Sequence, residues 1–174
     1  MKRLPALTAL GTILAICAAA LTASPALAGR GAKWHLLPFR PFTFDAQYCG
    51  FRVHVTSPVH QEYAKILKAA DGSMTTLITG ALTATFTNLR TGKAITENLS
   101  GPGKVTVAPD GTVTVTEKGH NGLFLVPADA HRFGLPTLIV TAGPVTETLA
   151  PPNGAITSLS QRGHILVNIC TALS

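Results

Sequence analysis

The side chains that could carry acid–base or metal chemistry are few. The histidines are His35, His54, His60, His120, His131 and His164. None of their spacings matches a zinc motif, and no H-E-x-x-H occurs, so neither a metal nor a cofactor is expected. His54 and His60 flank Ser57-Pro58 with Glu62 nearby, the one place where histidines could converge. Two carboxylates, Glu97 and Glu147, fall well inside strand patterns. Glu147 lies between Val145 and Leu149 on the apolar face of its segment. A carboxylate there must be ion-paired, hydrogen-bonded or near an opening, unless the inward face is misassigned. Glu97 and Glu147 would make a glycosidase-style pair only if the fold brought them together. Ser100-Gly101-Pro102-Gly103 lacks the G-x-S-x-G elbow, and there is no phosphate-cradling or dinucleotide glycine loop. No catalytic residue is assigned on these grounds.

The best recognition candidate is Pro127 to Pro136, which carries Asp129, His131, Arg132 and Phe133. A loop on a rigid β scaffold often holds recognition groups. Arg132 and His131 would suit an anionic or aromatic ligand, with Phe133 as an apolar contact. The plainer reading is a surface crossover whose Phe133 tucks against the end of the domain.

These residues must be positioned by an exported domain. Lys2 and Arg3 precede an apolar stretch from Leu7 to Leu21, and Ala26 and Ala28 supply a small-x-small cleavage pattern. Residues 1–28 therefore read as a secretory signal, leaving 146 residues, the size of one domain. No membrane-spanning stretch remains after cleavage, so the product is expected to be secreted, extracellular and monomeric. The chain carries a formal charge of +6, and losing Lys2 and Arg3 leaves twelve basic against eight acidic residues. The basic residues are dispersed, which argues against nucleic acid as a partner. Cys17 goes with the signal, so Cys49 and Cys170 are expected to form one disulfide; two free buried thiols are the alternative.

Along residues 29–43 runs an arm with Trp34, Leu36, Leu37, Phe39 and Phe42, punctuated by Pro38 and Pro41. It should pack across the domain or act as a detachable aromatic segment. From residue 44 to 174 the dominant period is two. Phe51, Val53 and Val55 alternate with Arg52, His54 and Thr56, and Val113 and Val115 with threonines. Strand-like segments run over 50–57, 73–79, 81–88, 93–99, 103–108, 112–118, 122–127, 136–141, 144–149, 155–160 and 164–170. Leu123 to Val126 and Leu138 to Val140 are apolar on both faces, as in strands covered on both sides. Asp71-Gly72, Asp110-Gly111 and Asn153-Gly154 supply turns. Val59, Tyr63, Ile66, Leu67 and Ala70 recur at three- and four-residue spacing, which predicts a short amphipathic helix over 59–70. The expectation is an all-β, antiparallel, hairpin-rich barrel with that one helix, its first and last core strands adjacent and joined by the disulfide. A two-sheet β-sandwich satisfies the same periodicity.

The core also resembles a group of small secreted proteins of high-GC Gram-positive, actinomycete-like bacteria, most without an assigned role. The resemblance spans roughly residues 48–174. It rests on Tyr48-Cys49-Gly50-Phe51, Gly80-Ala81-Leu82-Thr83-Ala84, Thr91-Gly92-Lys93, Ser100-Gly101-Pro102-Gly103 and Asn168-Ile169-Cys170. It implies export, the disulfide and a compact β domain, and brings no catalytic residues. The functional expectation is a non-enzymatic secreted domain that binds a cell-surface polymer, a small hydrophobic ligand or a protein. A carrier of hydrophobic ligands would need an apolar void of about 300 Å³ or more. The alternative, a small barrel-type isomerase or hydrolase, requires at least two of His54, Glu97, His131 and Glu147 to share a pocket.

Overall fold

The structure, a computed structural model, describes residues 32–152 and 154–174. The signal segment, its cleavage site and the first residues of the arm lie outside the described residues. The strands are β1 (His35–Leu36), β2 (Phe42–Phe44), β3 (Val53–Lys68), β4 (Met74–Asn88), β5 (Ala94–Asn98), β6 (Gly103–Val107), β7 (Val113–Glu117), β8 (His120–Phe124), β9 (Leu138–Ala142), β10 (Val145–Ala150), β11 (Ala155–Gln161) and β12 (His164–Asn168). Two short helices interrupt them, α1 (Pro127–Phe133) and α2 (Ile169–Leu173). One nine-stranded sheet runs β1-β3-β4-β6-β7-β10-β11, with β2 also beside β3 and β5 also beside β4. A three-stranded sheet runs β12-β9-β8. The pairings are antiparallel throughout.

The expected barrel is not formed. Neither sheet closes on itself, because β7 pairs with β10 and the intervening chain leaves to build the second sheet. The first and last core strands are not neighbours either, since β12 pairs with β9. The expected helix over 59–70 is also absent. Those residues belong to β3, whose ladder with β4 runs from Val53 opposite Asn88 to Lys68 opposite Met74. The supposed buried stripe lies largely in the open: Val59 and Tyr63 are each 42% exposed and Leu67 is 39% exposed. A register shift between Thr56 and Val59 absorbs Pro58, which has no amide proton for the ladder. Further along, Gly80 faces Glu62 with φ +133°, where a Cβ would lie 2.1 Å from the Gln61 carbonyl oxygen. Only glycine fits this tight point in the long hairpin.

The core explains the two-sheet arrangement. Leu138, Ile139 and Val140 of β9 are all fully buried, so both faces of the small sheet are covered. Phe124, Leu138 and Val140 join a cluster with Val53, Val55, Leu82, Ala84 and Phe86. Leu123, Leu125 and Ile139 join a second cluster with Val105, Val115, Val145, Leu149 and Ile156. The large sheet thus supplies apolar residues to both sides of the small one. The helices fill the ends: Ala130 of α1 packs in the second cluster, Ile169 and Leu173 of α2 in the first. Among the described residues no helix is long and apolar enough to cross a membrane.

The expected disulfide is present. Cys49 and Cys170 are bonded, with Cα atoms 5.1 Å apart and 121 positions between them in sequence. It ties the turn after β2 to α2 rather than strand to strand. Asn168 caps α2 through Thr171 N at 3.2 Å, and buried Asn88 Nδ2 donates to Leu173 O at 3.1 Å. Replacing both cysteines by serine should lower stability to urea by up to about 5 kcal/mol, the chain-entropy value for a loop this long. The wild-type folded protein should show no thiol to labelling reagents at residues 49 and 170.

Candidate functional site

Strand register places three glutamates on the inner face of the large sheet. Glu62 on β3 lies opposite Gly80, Ile78 opposite Gly103, Gly103 opposite Glu117 on β7, and Glu117 opposite Val145. Glu147 on β10 lies opposite Val115, diagonal to Glu117. Because Gly103 carries no side chain, this row is underfilled where it crosses β6. A cavity of about 110 Å³ occupies the space between the sheets. His60, Glu62, Glu117 and Glu147 line it from the large sheet, and Asn121 and Gly122 from β8. Leu82, Leu99, Val105 and Val115 supply apolar wall from both core clusters.

The arm forms the remaining wall through Leu37, Pro38 and Phe39. Leu37 N donates to Glu62 O at 2.9 Å, and the Phe39 ring sits 5.7 Å from the His60 ring and 6.3 Å from Phe42. The arm therefore packs on the domain. Trp34 and Leu36 stay exposed on its far side.

Glu147 is 5% exposed, and neither an ion pair nor a hydrogen bond reaches its carboxyl from the described residues. Burial, with Asp129 nearby, pushes it up to about 7. Glu117 is also pushed up to about 7, by burial first and then by Glu147 and Glu62. Burial raises Glu62 and lowers His60. Near neutral pH the Glu117 and Glu147 carboxyls exchange between a neutral donor form and a charged form. Among the described residues no cluster of His, Cys, Asp and Glu is arranged to hold a metal ion.

The recognition residues expected from sequence lie elsewhere. His131, Arg132 and Phe133 belong to α1, which ends at Gly134 in the left-handed region (φ +65°). Arg132 Nη1 donates to Ile156 O at 2.7 Å, Nη2 to Thr157 O at 3.3 Å, and its guanidinium lies 4.8 Å from the Phe133 centroid. β11 has a strand on one side only, so Arg132 occupies acceptors on an open sheet edge. Phe133 lines a separate hollow of about 320 Å³ with Leu135, Leu159, Ser160 and Gln161, open to solvent rather than enclosed. His131 is exposed.

Of His54, Glu97, His131 and Glu147, only Glu147 lines the inter-sheet cavity, so the enzyme constellation expected from sequence is not assembled. His54 Nδ1 instead lies 2.9 Å from Thr43 Oγ1, and Glu97 faces Ala84 across β5 and β4. Of the neighbouring group His54, His60 and Glu62, the structure brings His60 and Glu62 to the cavity and leaves His54 outside it. Sequence reading missed Glu117, although it continues the Val113–Val115 alternation, a visible signal. Comparison with family models, curated proteins and solved structures finds no match to the chain.

Two outcomes follow from this geometry. Glu117 and Glu147 hold protons in the folded state up to about pH 7, whereas the unfolded chain releases them near 4.5. Between those values the folded state binds more protons, so stability should fall as pH rises through that window and level off above it. Melting temperatures from pH 5 to 8 should show this slope, and Glu147→Gln should flatten it and melt higher than wild type at pH 8. Arg132→Ala should cost about 1 to 2 kcal/mol in urea unfolding, the scale of lost charge-assisted hydrogen bonds, without changing that pH slope.

Proposed function

We propose that this is an extracellular, non-enzymatic binding domain that receives a small ligand, or a small group of a larger one, in the cavity between its sheets. The observation that carries the reading is Glu147, a residue 5% exposed that lines a largely apolar cavity and accepts no hydrogen bond from the described residues. Holding a carboxyl in so dry a setting costs stability, and acids perturbed by burial gather where function requires them. A second carboxyl, Glu117, shares the space. The leader-like first 28 residues and the long-range disulfide support an extracellular setting.

The size of the cavity narrows the ligand. At about 110 Å³ it is well below the roughly 300 to 1,000 Å³ of sites that engulf drug-sized molecules. It suits a short chain or a projecting group. A carrier for a bulky hydrophobic molecule is the version this volume disfavours. If the partner is a surface polymer, it would reach the cavity through one side group.

Gly103 offers a way to close the site. A Cβ there would meet Ile78 at 3.5 Å, ordinary contact, and its φ is not in the left-handed region. Gly103→Val should therefore fold and fill part of the cavity. In an NMR titration with a library of small organic fragments, amide shifts in wild type should concentrate at Glu62, Glu117, Asn121, Gly122 and Glu147. The same fragments should leave a folded Gly103→Val protein unperturbed. Fragment binding that maps elsewhere, or survives the filled cavity, would remove the site from this location.

A further inference from the structure

Resting on that reading of the cavity, we propose that its occupant is an organic cation, a primary ammonium on a short apolar chain. The polar lining is dominated by carboxyls, which become acceptors only as they ionise. Glu62, Glu117 and Glu147 present carboxyls from β3, β7 and β10. Asn121, from the facing sheet, already spends its amide donors on Gly143 O at 2.9 Å and Gly119 O at 3.4 Å, leaving Oδ1 as what it can offer. The next charged group toward Glu147 is another acid, Asp129, near α1. His60 is the one basic group on the wall; burial disfavours its charged form, and Phe39 lies against its ring. No lysine or arginine lines the cavity among the described residues.

Once its carboxyls ionise, such a site disfavours anions, which would face negative charge on the same wall. Its carboxyls are arranged neither close enough nor numerous enough at one point to hold a bare metal ion. An ammonium has three donors and a positive charge, which complements carboxylate acceptors. Leu82, Leu99, Val105 and Val115 would cover a short alkyl stem, and the volume of about 110 Å³ allows little more. Glu147 supplies the independent sign of a missing partner, being 5% exposed and aimed into the cavity with no hydrogen bond from the described residues.

Binding would displace protons. The groups facing Glu117 and Glu147 are Glu62, His60 and Asp129, so no cation of the protein competes for the role. An ammonium entering the cavity favours the ionised carboxylates. One displaced proton on a group titrating near 7 makes binding about tenfold tighter at pH 8 than at pH 6.

The test titrates the folded protein, by NMR and calorimetry at pH 6 and pH 8, with n-butylamine hydrochloride, n-butanol and sodium butyrate in parallel. A further arm uses a short acetylated peptide with one central lysine, to separate a free amine from a side group on a chain. Butylammonium or the lysine peptide should perturb the cavity residues, about tenfold more tightly at pH 8. Glu117→Gln and Glu147→Gln should each weaken binding at least tenfold, and Glu97→Gln, outside the cavity, should not. Butanol binding as tightly as butylammonium at both pH values, or preference for butyrate, would overturn the cation while leaving the cavity as a binding site. Competition by calcium or magnesium chloride at similar concentration would replace the organic cation with an inorganic one. If no probe and no fragment perturbs the cavity, both this inference and the binding reading fall.

Discussion

Successive residues of a strand point to opposite faces, yet Leu138, Ile139 and Val140 are all fully buried. Both faces of β9 must therefore be covered, and one flat sheet can cover only one of them. The large sheet resolves this by serving both sides. Its β3–β4 half delivers Val53, Val55, Leu82 and Phe86 to one face, and its β6, β7, β10 and β11 strands deliver Val105, Val115, Leu149 and Ile156 to the other. This demand also explains the departure of the chain after β7 and its return at β10. A closed barrel would have had no place for a doubly buried strand except its lumen.

The cavity lies where these two coverings meet. Leu82 and Leu99 on its wall belong to one apolar cluster, Val105 and Val115 to the other. Packing is hardest to complete at such a junction, because the sheet changes which face of β9 it serves. Glycines mark the place: Gly103 leaves the inner row short of a side chain, and Gly122 on β8 has the Phe124 ring in the space a Cβ would need. An ordinary domain would fill the gap with aliphatic groups. Here the vacant volume is bordered by Glu62, Glu117 and Glu147, the costliest kind of lining.

What could be read from the sequence was local. Alternation identified most strands, and its absence in the apolar runs 123–126 and 138–140 marked them as covered on both sides, as Leu123, Phe124, Leu125 and Leu138 to Val140 are. Counting cysteines gave the Cys49–Cys170 bond but not the elements it joins. The misread helix has a definite cause. Val59, Tyr63 and Leu67 are spaced by four, which places them on one side of a helix and equally on one face of a strand. Only the distant partner β4 decides between these. The partners of Arg132 were illegible for a similar reason: the carbonyls of Ile156 and Thr157 that it meets lie on β11, far along the chain.

Glu147 shows how a local rule can be right and still fall short. Its place on the apolar face of β10 was legible, and so was the need for a pair, a hydrogen bond or an opening. Which of the three applied depended on Glu117, Asn121 and the arm residues Leu37 and Phe39, brought there by three separate sets of contacts. In their presence the carboxyl meets its burial by holding a proton up to about pH 7 rather than by pairing. A proton is a small and exchangeable partner. It lets the domain fold around the acids without a built-in cation, at the cost of lower stability once they ionise.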